Sequence, residues 1–221
     1  MYFGDHKLTK KWGIHLEAQV RRHQLISSAQ QILLRTGINY HFTDNSFFTA
    51  GYCFVETNKY GKFPSLSDFP EHRLWQQVQV KNQSGRLEIV NRYRLEQRFV
   101  FQPIFDMYTG KYNPAKKPTY SNRMRLMTRV SIPFKGEMIK DKSLYLSFYD
   151  EVFINFGKNI LQNHVDQNRA YLAIGYKIPK LGRLEIGYLN QLLIKSDGLK
   201  IENNHTLQLG LSSVLNFYKN D

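Results

Sequence analysis

From residue 144 to residue 217 the chain follows one rule: apolar side chains recur at every second position. Leu144, Leu146, Phe148, Val152, Ile154 and Phe156 alternate with Tyr145, Ser147, Tyr149, Glu151 and Asn155. Leu172, Ile174 and Tyr176 alternate with Arg169, Tyr171 and Gly175, and Leu184, Ile186 and Tyr188 with Glu185 and Gly187. In the segment 203–218, Leu207, Leu209, Leu211, Leu215 and Phe217 oppose Thr206, Gln208, Gly210, Ser212 and Asn216. Successive side chains of an extended strand point to opposite faces, so each segment is a strand with one apolar and one polar side. The rhythm extends upstream through 123–134, 88–99, 73–81, 48–54, 31–40 and 14–21, with a shorter segment at 2–8. That makes roughly eleven segments, most of a length that crosses a bilayer when tilted. No helical period competes. The chain is expected to be all-β, a single barrel domain over 1–221.

Composition narrows the class further. Of 221 residues, 42% are hydrophobic and 22% charged, too apolar for a disordered chain and too polar for a bundle of membrane helices. A single cysteine, Cys53, rules out an internal disulfide framework and any multi-cysteine metal site. The opening MYFGDHKLTKKW lacks the regions of a signal peptide, and the expectation is that a leader has been lost from it.

Alternation alone does not say which face is inside. A soluble lipocalin-like barrel buries the apolar face, whereas a membrane barrel turns it outward and encloses the polar one. Three features favour the second. The polar face is rich in Arg, Glu, Gln, Asn, Tyr and Gly, groups suited to close pairing and to a curved inner wall. Aromatics fall near the ends of the apolar stripes, at Trp12, Tyr40, Phe48, Phe99, Phe134, Phe156, Tyr176 and Phe217. Short connections near 8–11, 42–45 and 179–182 alternate with longer ones near 57–71, 102–121 and 157–165. An Arg facing lipid at mid-depth costs roughly 2–4 kcal/mol, and nearly every strand Arg falls on the polar face. Asn91, Gln97, Asp150 and Asn190 land instead among apolar residues, which points to a rim position or a local bulge.

Several motifs carry a family resemblance. YDEVFINFG (149–157), VDQNRAYLAIGYKI (165–178), RLEIGYLNQ (183–191) and NHTLQLGL (204–211) resemble the Bacteroidetes family called domain of unknown function 2490, as do KKWGIHLEAQVRR (10–22), EHRLWQQ (71–77), YRLEQRF (93–99) and NRMRLMTRVSIP (122–133). The resemblance covers nearly the whole chain. It implies an outer-membrane β-barrel of a Gram-negative bacterium and implies no activity. One departure is that Phe217 is followed by Tyr218, Lys219, Asn220 and Asp221, where outer-membrane strands commonly end on an aromatic. The expected fold is an antiparallel up-and-down transmembrane β-barrel. Because single-chain bacterial barrels normally have even strand numbers, about twelve strands are expected, with ten as the alternative and the first strand truncated or preceded by another.

The candidate site is the charged inner wall: Glu17, Arg21, Arg35, Glu88, Arg92, Arg94, Glu96, Arg98, Arg123, Arg125, Arg129, Glu151, Arg169 and Glu185. These come from successive strands, so several should be lateral neighbours. Two readings stand. The wall attracts a small anionic solute, or its ion pairs fill the barrel and hold it shut. No G-x-S-x-G elbow is present, and Asp150, Asn190 and His205 are the nearest approach to a catalytic group, so no enzyme activity is expected. His15 with Glu17, and His164 with Asp166, fall short of a metal-ligand set, and no metal or cofactor is expected. The net charge of +13 raises nucleic acid as a partner. Much of that charge alternates with apolar residues along strands, so outer-membrane lipids are the expected partners instead, met by Lys59, Lys62, Lys111, Lys116 and Lys117. The expected role is structural, or a restricted passage for small anions, with a soluble ligand carrier and a lipid-modifying barrel enzyme as alternatives.

Overall fold

The structure is a computed structural model that describes residues 1–24 and 27–218. The stretch Lys219–Asp221, on which part of the terminal-aromatic departure rests, lies outside the described residues. Every regular element among them is a strand. The order is β1 (Tyr2–Lys7), β2 (Trp12–His23), β3 (Ser28–Thr43), β4 (Ser46–Thr57), β5 (Phe69–Ser84), β6 (Leu87–Val100), β7 (Pro103–Asp106), β8 (Lys111–Pro114), β9 (Thr119–Pro133), β10 (Leu144–Phe156), β11 (Val165–Ile178), β12 (Gly182–Ile194) and β13 (Ile201–Ser213).

All but β7 and β8 close into one barrel, in the order β1-β13-β12-β11-β10-β9-β6-β5-β4-β3-β2. Every sequential pair is antiparallel, and the closing pair β1–β13 is parallel, with Tyr2 opposite Leu211 and Gly4 opposite Ser213. This corrects the expectation of twelve or ten strands in an all-antiparallel wall. The physical reason is parity. Strands that run alternately up and down return to the starting direction after an odd number, so a barrel of eleven strands closes with two of like direction. The eleven alternating segments were legible; the even-number rule is what fails. Two further boundaries move. The last strand ends at Ser213 rather than 218, and the 102–121 connection contains the β7–β8 hairpin, whose four-residue strands are too short to show a period.

Turns at 8–11, 44–45, 85–86 and 179–181 gather at one end, the short-turn rim, together with the longer 134–143 connection. The connections 58–68, 101–118 and 157–164 gather at the other, the long-loop rim. The aromatics follow these ends. Trp12 meets Tyr40 edge-on at 5.0 Å, Tyr40 meets Phe42 at 5.7 Å, and Phe99 packs against Tyr120 at 5.3 Å on the opposite rim.

The sidedness is inverted relative to a soluble barrel. Leu16, Val20, Ile32, Leu34 and Ile38 are exposed on the outside, as are Leu172, Ile174, Leu184, Ile186, Leu207 and Leu209. Arg35, Arg94, Glu96 and Glu151 are buried within. The inner apolar clusters are small. Leu33, Cys53, Val55 and Trp75 make one, and Tyr171, Ala173 and Leu189 another. Curvature is accommodated where glycine leaves room for a ring. A Cβ on Gly175 would stand 2.1 Å from the Tyr145 ring of the neighbouring strand, and one on Gly187 would stand 2.7 Å from Tyr171.

Candidate functional site: an ionic septum inside the barrel

All the charged residues anticipated for the inner wall point inward. At the centre lies Glu96 of β6. Its Oε1 accepts hydrogen bonds from Arg35 Nη2 and Arg125 Nη1, each at 3.0 Å. Its Oε2 accepts from Arg123 Nη2 at 2.7 Å and Nε at 3.1 Å, and Arg73 Nη1 stands 3.7 Å away. One carboxylate thus gathers guanidiniums from β3, β5 and β9. Such a hub is held by geometry, because four cations around one anion repel each other unless further carboxylates share them.

They do. Arg35 Nη1 donates to Glu17 Oε2 at 2.7 Å, so Arg35 bridges two carboxylates. Arg125 donates to both oxygens of Glu151 at 3.0 Å, and Arg92 donates to Glu151 Oε1 at 2.8 Å. Arg73 and Arg98 both fork onto Glu71. Toward the short-turn rim, Glu185 takes Arg129 and the Tyr145 hydroxyl, the latter at 2.7 Å. Glu88 takes Arg183 Nη2 at 2.8 Å and pairs with Lys81 Nζ at 2.7 Å.

Two inward aromatic rings complete the partition. The Arg35 and Arg94 guanidiniums lie 5.1 Å and 4.9 Å from the Trp75 ring, and His15 meets its edge at 5.1 Å. Phe153 carries Arg125 at 4.5 Å, Arg169 at 4.9 Å and Arg123 at 5.2 Å. Stacking of this kind lets planar cations crowd a narrow space with their N–H edges free for carboxylates.

The partition separates two cavities. The larger, about 510 Å³, reaches the short-turn rim, where Lys81, Asp141 and Lys180 line it. The smaller, about 260 Å³, lies toward the long-loop rim and is lined there by Tyr60, Phe69 and Lys195. The 58–68 connection is tied down across the barrel. The Phe63 backbone N–H donates to Glu202 Oε1 of β13 at 2.6 Å, and Lys195 pairs with the same oxygen at 3.2 Å.

Lateral neighbours appear as the strand order dictates. Glu17 stands opposite Arg35, Glu96 opposite Arg123, and Glu151 opposite Arg169. Arg94 stands opposite Arg125, a like-charged pair whose members turn apart, Arg94 to Gln77 and Arg125 to Glu96 and Glu151. Sequence reasoning missed Glu71, Arg73, Asp5, Asp166, Arg183 and Glu202. The signal for Glu71 and Arg73 was present: the 73–81 alternation carried back two residues puts both on the Trp75 side.

No bulge accounts for the outward polar residues. The register breaks by one at Arg21/Arg22, His41/Thr43 and Phe153/Ile154, not at Asn91, Gln97, Asp150 or Asn190. They pair across strands instead. Gln97 exchanges hydrogen bonds with Gln76, Thr128 donates to Asn91 at 2.9 Å, Asn168 donates to Asp150 at 3.1 Å, and Asn190 donates to Asn203 at 2.8 Å. Several share one ladder. Asn91, Thr128, Asp150, Ala170, Asn190 and His205 are consecutive cross-strand partners, an outward row over β6 and β9–β13. Ala170 separates Asp150 from Asn190, and His205 turns to the Tyr188 hydroxyl, so the imagined catalytic group of Asp150, Asn190 and His205 is not assembled. His15 is held by Asp5 at 2.7 Å and by Glu17 at 3.5 Å.

A family profile described as "Protein of unknown function (DUF2490)" matches residues 1–209, nearly the whole chain. No curated protein and no solved structure matches it. The chain belongs to the DUF2490 family, whose description carries no activity.

Proposed function

We propose that this DUF2490 protein is an outer-membrane β-barrel of a Gram-negative bacterium, shut at mid-height by its ionic septum, and that small anionic solutes enter its lumen. The observation that carries the reading is the inverted wall, with Leu34 and Ile38 exposed outside and Arg35 and Glu96 buried between them and the barrel axis. Isolated in water, so broad an apolar exterior invites association; against hydrocarbon it is the stable arrangement. Closed pairing of the strands satisfies the backbone without water, as a spanning structure requires. A soluble carrier for apolar ligands would need the opposite filling.

Arg and Lys outnumber carboxylates around the larger cavity, so the field there favours anions. The septum and the tethered 58–68 connection both oppose free flow, and the resting barrel is a plug more than a pore. Cell fractionation tests location: the protein is expected in the outer-membrane fraction and monomeric only in detergent. Recovery as a monomer in plain buffer would sink the reading. Planar-bilayer recording tests the lumen, with small, rare, anion-preferring currents expected from the intact barrel.

A further inference from the structure

Charge neutralisation inside the barrel is incomplete, and the shortfall is localised. Arg35, Arg73, Arg92, Arg98, Arg123, Arg125, Arg129 and Arg183 each reach a carboxylate within 3.1 Å or closer. Arg21 and Arg169 reach none among the described residues. Arg21 Nη2 donates to the neutral Gln19 Oε1 at 2.8 Å, and its buried Nε has no partner among the described residues. Arg169 stacks on Phe153, and its Nη2 reaches the Gln167 amide oxygen at 2.9 Å when that amide is turned to suit its neighbours. Its cross-strand neighbour Glu151 is already taken by Arg92 and Arg125.

These two guanidiniums come from β2 and β11. Both line the larger cavity and the smaller one, so they stand where the two meet. A lumen that spends carboxylates on every other inward strand Arg, Arg94 standing 4.0 Å from Glu17, and leaves these two cations on neutral amides, has room for two negative charges at that point. Guanidinium forks favour oxygen acceptors in bidentate geometry. A carboxylate supplies one charge in one plane. A phosphate group supplies nearly two, with oxygens directed several ways.

We propose that Arg21 and Arg169 form a phosphate-binding site at the junction of the two cavities. The site deepens the reading of the lumen as a place anions enter, and rests on it for the route by which they arrive. Gln19 and Gln167 hold the guanidiniums in place, and the phosphate displaces water between them. The larger cavity leaves space on the short-turn side for a small esterified group.

The test is calorimetric titration of the folded, detergent-solubilised barrel with inorganic phosphate, glycerol 3-phosphate and acetate, and with micelles containing phosphatidic acid. Saturable phosphate binding is expected, at least tenfold tighter than acetate. Tighter binding of glycerol 3-phosphate or of phosphatidic acid supports the site and identifies an ester, free or lipid-borne, as its natural source. R21Q and R169Q should each weaken phosphate binding at least tenfold, R169K should recover part of the loss, and K158Q in the exposed 157–164 connection should bind as wild type. Phosphate binding no tighter than acetate, or unchanged in R21Q and R169Q barrels that still migrate as folded species, overturns the proposal. The titration needs no membrane, so its failure beside normal outer-membrane fractionation removes the site and leaves the wider reading. A cytosolic protein that still binds phosphate does the reverse.

Discussion

Arg35 Nη2 lies 3.0 Å from Glu96 Oε1, although the two residues sit on β3 and β6, with β4 and β5 between them in the wall. The bond is a chord across the barrel, not a rung of the ladder, and it braces the interior against opening.

Removing the acceptor of that chord strands several buried cations together. Glu96→Ala is expected to lower stability by about 3–5 kcal/mol, since breaking a buried pair leaves its partners uncompensated. Urea unfolding followed by loss of the compact gel species measures this. A change below about 1 kcal/mol would mean that the hub contributes little.

The same substitution bears on flow. Arg35→Ala with Glu96→Ala removes two members of the septum while leaving Arg94, Arg125 and Arg169 on the wall. Single-channel records should show larger currents than wild type, still preferring anions. A double variant that remains silent while folded would place the block elsewhere, in the tethered 58–68 connection.

Outward positions give an independent check on the environment of the wall. Ile38→Arg should cost about 2–4 kcal/mol in lipid vesicles if that side chain faces hydrocarbon at depth. The same change on a wall bathed in water would cost well under 1 kcal/mol.

Gly175 is a packing site for its neighbour's ring. A methyl group there would meet Tyr145, whose hydroxyl is engaged with Glu185. Gly175→Ala should destabilise by about 1–3 kcal/mol, the range for overpacking. Pairing it with Tyr145→Phe would not restore the loss, because the ring remains.

Much of this was visible in the chain. Period-two alternation assigned inner and outer faces correctly in β2–β6 and β9–β13, because one-residue slips invert a strand and leave a plain signature. Which inner residues meet was less visible. Glu17 and Arg35 are lateral partners and follow from strand order. Arg35 and Glu96, or Arg129 and Glu185, meet across the lumen, and that depends on barrel radius and stagger, which no single strand encodes. Glu71 was lost for a local reason: Phe69 and Pro70 blur the start of β5, so the alternation reads only from residue 73, whereas Arg73 lay inside the segment at its very edge. The parallel seam was hidden because alternation is blind to strand direction.

The chain has two tryptophans, and the wall divides them. Trp12 is half-exposed on the outer rim, whereas Trp75 is fully buried inside, clasped by two guanidiniums. The protein therefore carries its own pair of optical reporters. A brominated acyl chain should dim the first and spare the second, and any rearrangement of the arginines should change the colour of the second alone.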